Sequence, residues 1–217
     1  MGSGDGRQLA GMVRQRLREL AQPEIVGGIV ESRSPGKQVL GIRIPPLRQA
    51  VRQSLQAEGS SGAGAAADVL WHGQSHEEEL AACMLLRLST QRLTSEVVVS
   101  WAPLLDNWLS VDELGGCVGE ALLDATLALG ELGWLAVSSS QWQRRLYVVG
   151  LIKPLRDGLD PRQVPHVAEL LADRTAMVRK ACVWLLSDTV KRRPSAGPQF
   201  RQLLPEQAPV ALTRLVR

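Results

Sequence analysis

Chemically useful side chains recur at helical spacing in this 217-residue chain. Trp108 and Asp112 stand four apart, as do Lys180 and Trp184. On a helix each such pair shares one face. A carboxylate beside an indole can stabilise a developing cation, the first by its charge and the second through the ring quadrupole. An indole framed by lysines suits a surface that meets a polyanion, with the ring packing on a sugar or base. That second stripe runs Lys180, Trp184, Ser187, Lys191. A third feature is Trp142 with Arg145, where the guanidinium could anchor a phosphate. Each has a plainer alternative: Asp112 as a solvated acid beside a half-packed Trp108, Trp184 wedged against a neighbouring helix with snorkelling lysines, and Arg145 as an ordinary surface arginine.

The elements that must carry these residues are amphipathic helices. Val111, Leu114, Val118 and Leu122 form the core stripe of the helix bearing Trp108 and Asp112, and Asn107 is its expected cap. The Trp108–Asp112 face continues as Gly115 and Gly119. Glycine costs a helix about 1 kcal/mol per residue, and its lack of bulk leaves a face that another chain could approach. Val178, Cys182, Leu185 and Thr189 form the core stripe opposite Lys180 and Trp184.

Similar stripes predict helices over Gln8–Leu20, from Pro45-Pro46 through Leu55, from a capping box at Ser75–Glu78 to Leu88, and from a Thr94 cap through Leu105. Further ones are expected over Gln141–Lys153, Pro161–Leu171, Thr175–Lys191 and Pro209–Val216. Gly59–Gly64 reads as a loop, and Met1–Gly6 as a disordered tip. The run Val97–Val99 taken alone could be a strand; the wider period decides for helix. Helix pairs recur at about 40 residues, near the ~40–47 of HEAT-type repeats. The expectation is therefore an all-α, HEAT-like helical-repeat solenoid, a single domain over 1–217, curved with a concave basic face. A plain helical bundle is the alternative.

Other chemistries are excluded or unsupported. Hydrophobic residues make up 45% of the chain, enough for a core, yet no apolar run has the length of a membrane span. The start lacks the basic, apolar and cleavage regions of a signal peptide. Cys83, Cys117 and Cys182 each fall inside an apolar helical pattern, which suits reduced core thiols in the cytoplasm. His72, His76 and His166 have no cysteine partners at zinc spacing, so no metal is expected. No G-x-S-x-G elbow or G-x-G-x-x-G run occurs. Ser34-Pro35-Gly36-Lys37 lacks the preceding glycine of a P-loop and reads as a turn. Net charge is +3, carried mainly by arginine, the side chain suited to bidentate phosphate contact.

Five short motifs, in order, resemble the AlkD-type DNA alkylation-repair glycosylases. Gly41-Ile42-Arg43-Ile44-Pro45-Pro46-Leu47-Arg48 is similar to that family's G-[IV]-x-x-P-x-x-R lead-in to an early helix. Leu70-Trp71, with His76-Glu77-Glu78 and Ala81-Ala82, resembles its L-W…E…A helix pair. Trp108-Leu109-Ser110-Val111-Asp112, Trp142 with Arg145, and Arg179-Lys180-Ala181-Cys182-Val183-Trp184 resemble three further helices. The resemblance implies Asp112 as catalytic carboxylate, Trp108 and Trp184 as cleft tryptophans, and Arg145 as a phosphate contact. Arg43, Arg48, Arg144, Lys180 and Lys191 are the further expected DNA contacts. Ser187 stands where the family often has arginine, which puts DNA affinity or lesion preference in question. The implied activity is excision of cationic N3- or N7-alkylated purines from double-stranded DNA by a cofactor-free monomer, without a tight base-flipping pocket. The implied location is the cytoplasm, at the nucleoid when bound to DNA. The rival reading is a non-catalytic HEAT-like module for DNA or protein, with Asp112 only structural.

Overall fold

The computed structural model describes residues 3–28, 36–89, 93–206 and 208–216. Ser34 and Pro35 of the expected turn, and Met1 and Gly2 of the expected tip, lie outside the described residues. The described chain is all-α, and its helices pack in a helical-repeat arrangement. Among the described residues one isolated β-bridge pairs Gln38 with Ser75. Among the described residues no helix is long and apolar enough to cross a membrane. No group of three or more His, Cys, Asp or Glu among them could hold a metal ion.

Packing divides the chain into two compact units, residues 1–93 with 106–113, and residues 94–105 with 114–217. The first holds α1 (Ser3–Leu20), α2 (Ile44–Glu58), α3 (Ala63–Trp71), α4 (His76–Leu88) and the first turns of α6 (Trp108–Leu123). Leu9, Val13 and Leu17 form the buried stripe of α1, so the expected periodicity holds; the helix already begins at Ser3. On α2, Arg43 caps with extended backbone, prolines occupy the first turn, and Leu47, Ala50 and Val51 are buried. The apolar periodicity passes over α3, of which only the resemblance marks the end, at Leu70-Trp71. Its Gly/Ala-rich start looks like a linker, but alanine is the best helix former, and the small side chains Ala63, Ala66 and Ala67 let α3 bury itself against α1 and α4.

The second unit contains α5 (Ser95–Trp101), the rest of α6, α7 (Gly133–Ala136), α8 (Gln141–Gly150), α9 (Ile152–Arg156), α10 (Val167–Leu171), α11 (Ala176–Arg192), α12 (Ala196–Leu203) and α13 (Val210–Leu215). α11 is its hub and touches α8, α9, α10, α12 and α13. Its core side is the stripe Val178, Cys182, Leu185, Thr189, buried throughout as the period requires.

Prolines explain where the helices depart from expectation. The helix expected over 141–153 closes at Gly150 and restarts at Ile152. Pro154 has no N–H for the Gly150 carbonyl, and its ring would press on that carbonyl. The helix expected over 161–171 is a 3-10 turn, Pro161–Gln163, followed by α10. Pro165 holds Val164 in extended backbone at φ −86°, ψ 117°, and His166 then turns left-handed at φ 60°. Sequence reading also missed α12, whose Pro198 falls in the first turn, where a missing N–H costs nothing.

Candidate active site

The Trp108–Asp112 face starts at a helix terminus that is tied down with unusual completeness. Asn107 Oδ1 accepts the Ser110 N–H at 2.9 Å, the expected cap. Asn107 Nδ2 donates to Ser110 Oγ at 3.2 Å and to Asp106 Oδ1 at 3.1 Å. Ser110 Oγ then donates to Glu79 Oε2 on α4 at 2.8 Å. The other oxygen, Glu79 Oε1, receives Lys37 Nζ at 2.7 Å, and Lys37 also donates to the Trp71 carbonyl at 3.2 Å. His76 is buried with Nδ1 3.6 Å from Glu79 Oε2. Burial alone would push the Glu79 carboxyl up; the nearby His76 ring and the bonds from Lys37 and Ser110 outweigh it and hold the carboxyl below its ordinary range.

Two other acids of the same first turn act locally. Ser75 Oγ accepts the Glu78 N–H at 3.2 Å, half of the expected capping box. Glu78 does not return the bond to the Ser75 backbone; its carboxylate receives Arg14 Nε at 2.7 Å and the Ser75 hydroxyl. Glu77 is buried and accepts the backbone N–H groups of Leu40, Gly41 and Ile42 at 2.9, 2.9 and 3.3 Å. It thereby satisfies a segment that has no ladder of its own.

Trp108 and Asp112 are partly exposed on α6, four residues apart, as their spacing predicts. Further along that stripe the open surface ends. A Cβ on Gly115 would lie 2.5 Å from Val149 Cγ1, and one on Gly119 would lie 3.0 Å from the Gly150 carbonyl oxygen. The bare glycine face therefore receives the protein's own α8, not a ligand. Lys153, at the start of α9, binds Glu120 beside this contact.

On α11 the outer stripe is as expected. Lys180, Trp184, Ser187 and Lys191 are all exposed, Trp184 to 43%. The arginines of α8 differ from expectation. Arg145 is 6% exposed, and its Nη1 donates to the Met177 carbonyl at 2.7 Å. The reason is that Leu146, Tyr147, Val148 and Val149 are buried beside it, so the second half of α8 has no solvent face. Arg144 binds Asp173 Oδ2 at 2.7 Å, the Ser138 and Ser139 carbonyls at 2.8 and 2.9 Å, and Thr175 Oγ1 at 3.0 Å. Arg43 and Arg48 on the first unit are exposed. The structure thus brings Trp108 and Asp112 together in the first unit, and Lys180, Trp184 and Lys191 together in the second.

Glu79 is the residue that sequence reading missed. A signal existed: Glu79, Cys83 and Leu86 share one helical stripe, which puts a carboxylate at a core position. Such a charge demands partners, but nothing local reveals that they are Lys37 and Ser110, 42 and 31 residues away.

No curated protein matches the chain. The family model described as DNA alkylation repair enzyme matches residues 13–203, from the middle of α1 to the end of α12. That span takes in both units and every candidate site residue, and it gives the chain a role in DNA repair: the protein belongs to the DNA alkylation repair enzyme family.

Proposed function

We propose that this protein is a DNA glycosylase that removes cationic N3- or N7-alkylated purines from duplex DNA, on a HEAT-like repeat and without a tight base-flipping pocket. The observation that carries this reading is the pairing of a part-exposed carboxylate, Asp112, with a part-exposed indole, Trp108, on a helix terminus locked from behind. Alkylation at a ring nitrogen makes the purine cationic and so a good leaving group. The C1′–N bond breaks with its electron pair going to the base, and positive charge develops on the sugar. Asp112 stabilises that charge and orients a water, whose oxygen bonds to C1′ and whose proton leaves through the carboxylate to solvent. The products are a free alkylated base and an abasic sugar. Trp108 offers a ring face to the cationic lesion and sugar, and Trp184 on the second unit is a further aromatic face for DNA.

The side chains of Arg43, Arg48, Lys180 and Lys191 are exposed and make no hydrogen bond or ion pair among the described residues, which supports their reading as phosphate contacts. Arg144 and Arg145 have internal partners, so their contribution to DNA binding runs through the helix they hold in place. The lesion's own charge and lability supply the specificity that a pocket would otherwise give.

The test is release of 7-methylguanine and 3-methyladenine from methylated duplex DNA. Asp112→Asn is expected to abolish release while leaving DNA affinity nearly unchanged. Undiminished release by that variant would sink the mechanism. Tight binding of DNA by the wild-type protein with no release would favour a binding module instead.

A further inference from the structure

The site depends on which way α6 is rotated. Helical geometry advances about 100° per residue. Ser110 lies two residues from both Trp108 and Asp112, so it points about 200° from each, on the far side of the helix. Trp108 and Asp112 look outward while Ser110 is 0% exposed. Its hydroxyl accepts from Asn107 and donates to Glu79, itself 2% exposed on a neighbouring helix. Apolar packing at this contact would hold α6 against α4 but would leave its rotation softer, because dispersion contacts have no direction. A buried carboxylate is costly unless fully bonded, and here both oxygens are engaged, one by Lys37 and one by Ser110.

We propose that Glu79 is a positioning residue: through Ser110 it fixes the rotation of α6 and so aims Trp108 and Asp112. The kinetic consequence rests on the glycosylase reading, but the aim itself does not. Glu79→Gln replaces an oxygen acceptor and its charge with an amide of the same shape. Ser110→Ala removes only the hydroxyl. Glu78→Gln is the control: it alters the neighbouring acid of α4, whose partners are Arg14 and Ser75, with no bond to α6.

Two measurements test this. In a ¹⁵N–¹H spectrum the Trp108 indole resonance, assigned with Trp108→Phe, is expected to shift or broaden in Glu79→Gln and in Ser110→Ala and to stay in place in Glu78→Gln. In single-turnover excision of 7-methylguanine, both site variants are expected to lose about tenfold or more in rate. Their Kd for undamaged duplex should stay within about twofold, and the double variant should be no slower than the slower single one. An unmoved Trp108 resonance overturns the proposal whether or not the protein excises bases. Equal losses of rate in Glu78→Gln and Glu79→Gln overturn it too, because they would show general destabilisation. Absence of release by the wild-type protein bears on the glycosylase reading alone and leaves the Trp108 resonance to decide this one. Should Glu79→Gln fail to fold, Ser110→Ala reads the same contact.

Discussion

The Arg144 guanidinium meets the Asp173 carboxylate at 2.7 Å and ties the start of α8 to the loop that leads into α11. Both side chains are mostly covered, and Asp173 Oδ1 also accepts the Thr175 N–H at 2.7 Å. Burial raises the Asp173 pKa, but Arg144 and Thr175 outweigh it and leave the carboxyl below its ordinary 3.8. A depressed carboxylate contributes stability that is complete above the unfolded value and is lost as pH falls through the folded one. Unfolding free energy is therefore expected to fall as pH drops below about 4, and Asp173→Asn should flatten that limb. At neutral pH the variant should lose about 1–2 kcal/mol. Urea titrations from pH 7 to pH 3 check both; an unchanged acid limb would show that the link contributes nothing.

The glycines of α6 and α1 predict opposite signs for the same substitution. Gly115→Ala would put a methyl 2.5 Å from Val149 Cγ1 and 2.8 Å from Val149 Cβ. Overpacking of that kind costs about 1–3 kcal/mol, which outweighs the ~1 kcal/mol of helix propensity gained. Gly11 is exposed within α1, and a Cβ there meets nothing within 4 Å. Gly11→Ala should therefore stabilise by about 0.5–1 kcal/mol. Thermal melts of the two variants should move in opposite directions from the wild type.

Ala125 closes α6 in a left-handed conformation at φ 56°. The Thr126 N–H reaches back to the Ala121 carbonyl at 3.0 Å, as a helix ending of this type requires. A methyl group is strained at such φ. Ala125→Gly should stabilise by about 1 kcal/mol, net of the extra freedom that glycine gives the unfolded chain. A lower melting temperature would contradict that account.

Lys180 is expected to act on DNA through charge alone. Lys180→Ala should weaken binding alike across sequences and reduce the slope of log K against log salt by about one. Excision at saturating enzyme should be unchanged. A salt slope equal to that of the wild type would remove Lys180 from the interface.

The parts legible in the sequence were those written in local periodicity. The two faces of α11 followed from residue spacing alone, with Val178, Cys182, Leu185 and Thr189 inside and Lys180, Trp184, Ser187 and Lys191 outside. So did the Asn107 cap and the shared face of Trp108 and Asp112. What stayed hidden depended on distant or competing effects. Pro154 ended α8 within an unbroken apolar pattern. α3 was masked by small residues whose use shows only when α1 lies against them. Arg145 reads as a surface residue until its neighbours are seen to be buried, and the partners of Glu79 are remote in the chain.

Glu77 makes one side chain do the work of a missing strand for Leu40, Gly41 and Ile42. The lead-in to α2 and the first turn of α4 therefore share their fate. If that turn frays, three loop amides lose their acceptor together, so the two segments should open as a single cooperative unit although 35 or more residues separate them. Through Glu79, two residues further along α4, the same turn also holds Ser110 of α6. Two acids of that turn, Glu77 and Glu79, thus couple the local stability of α2's approach to the steadiness of the face that bears Asp112.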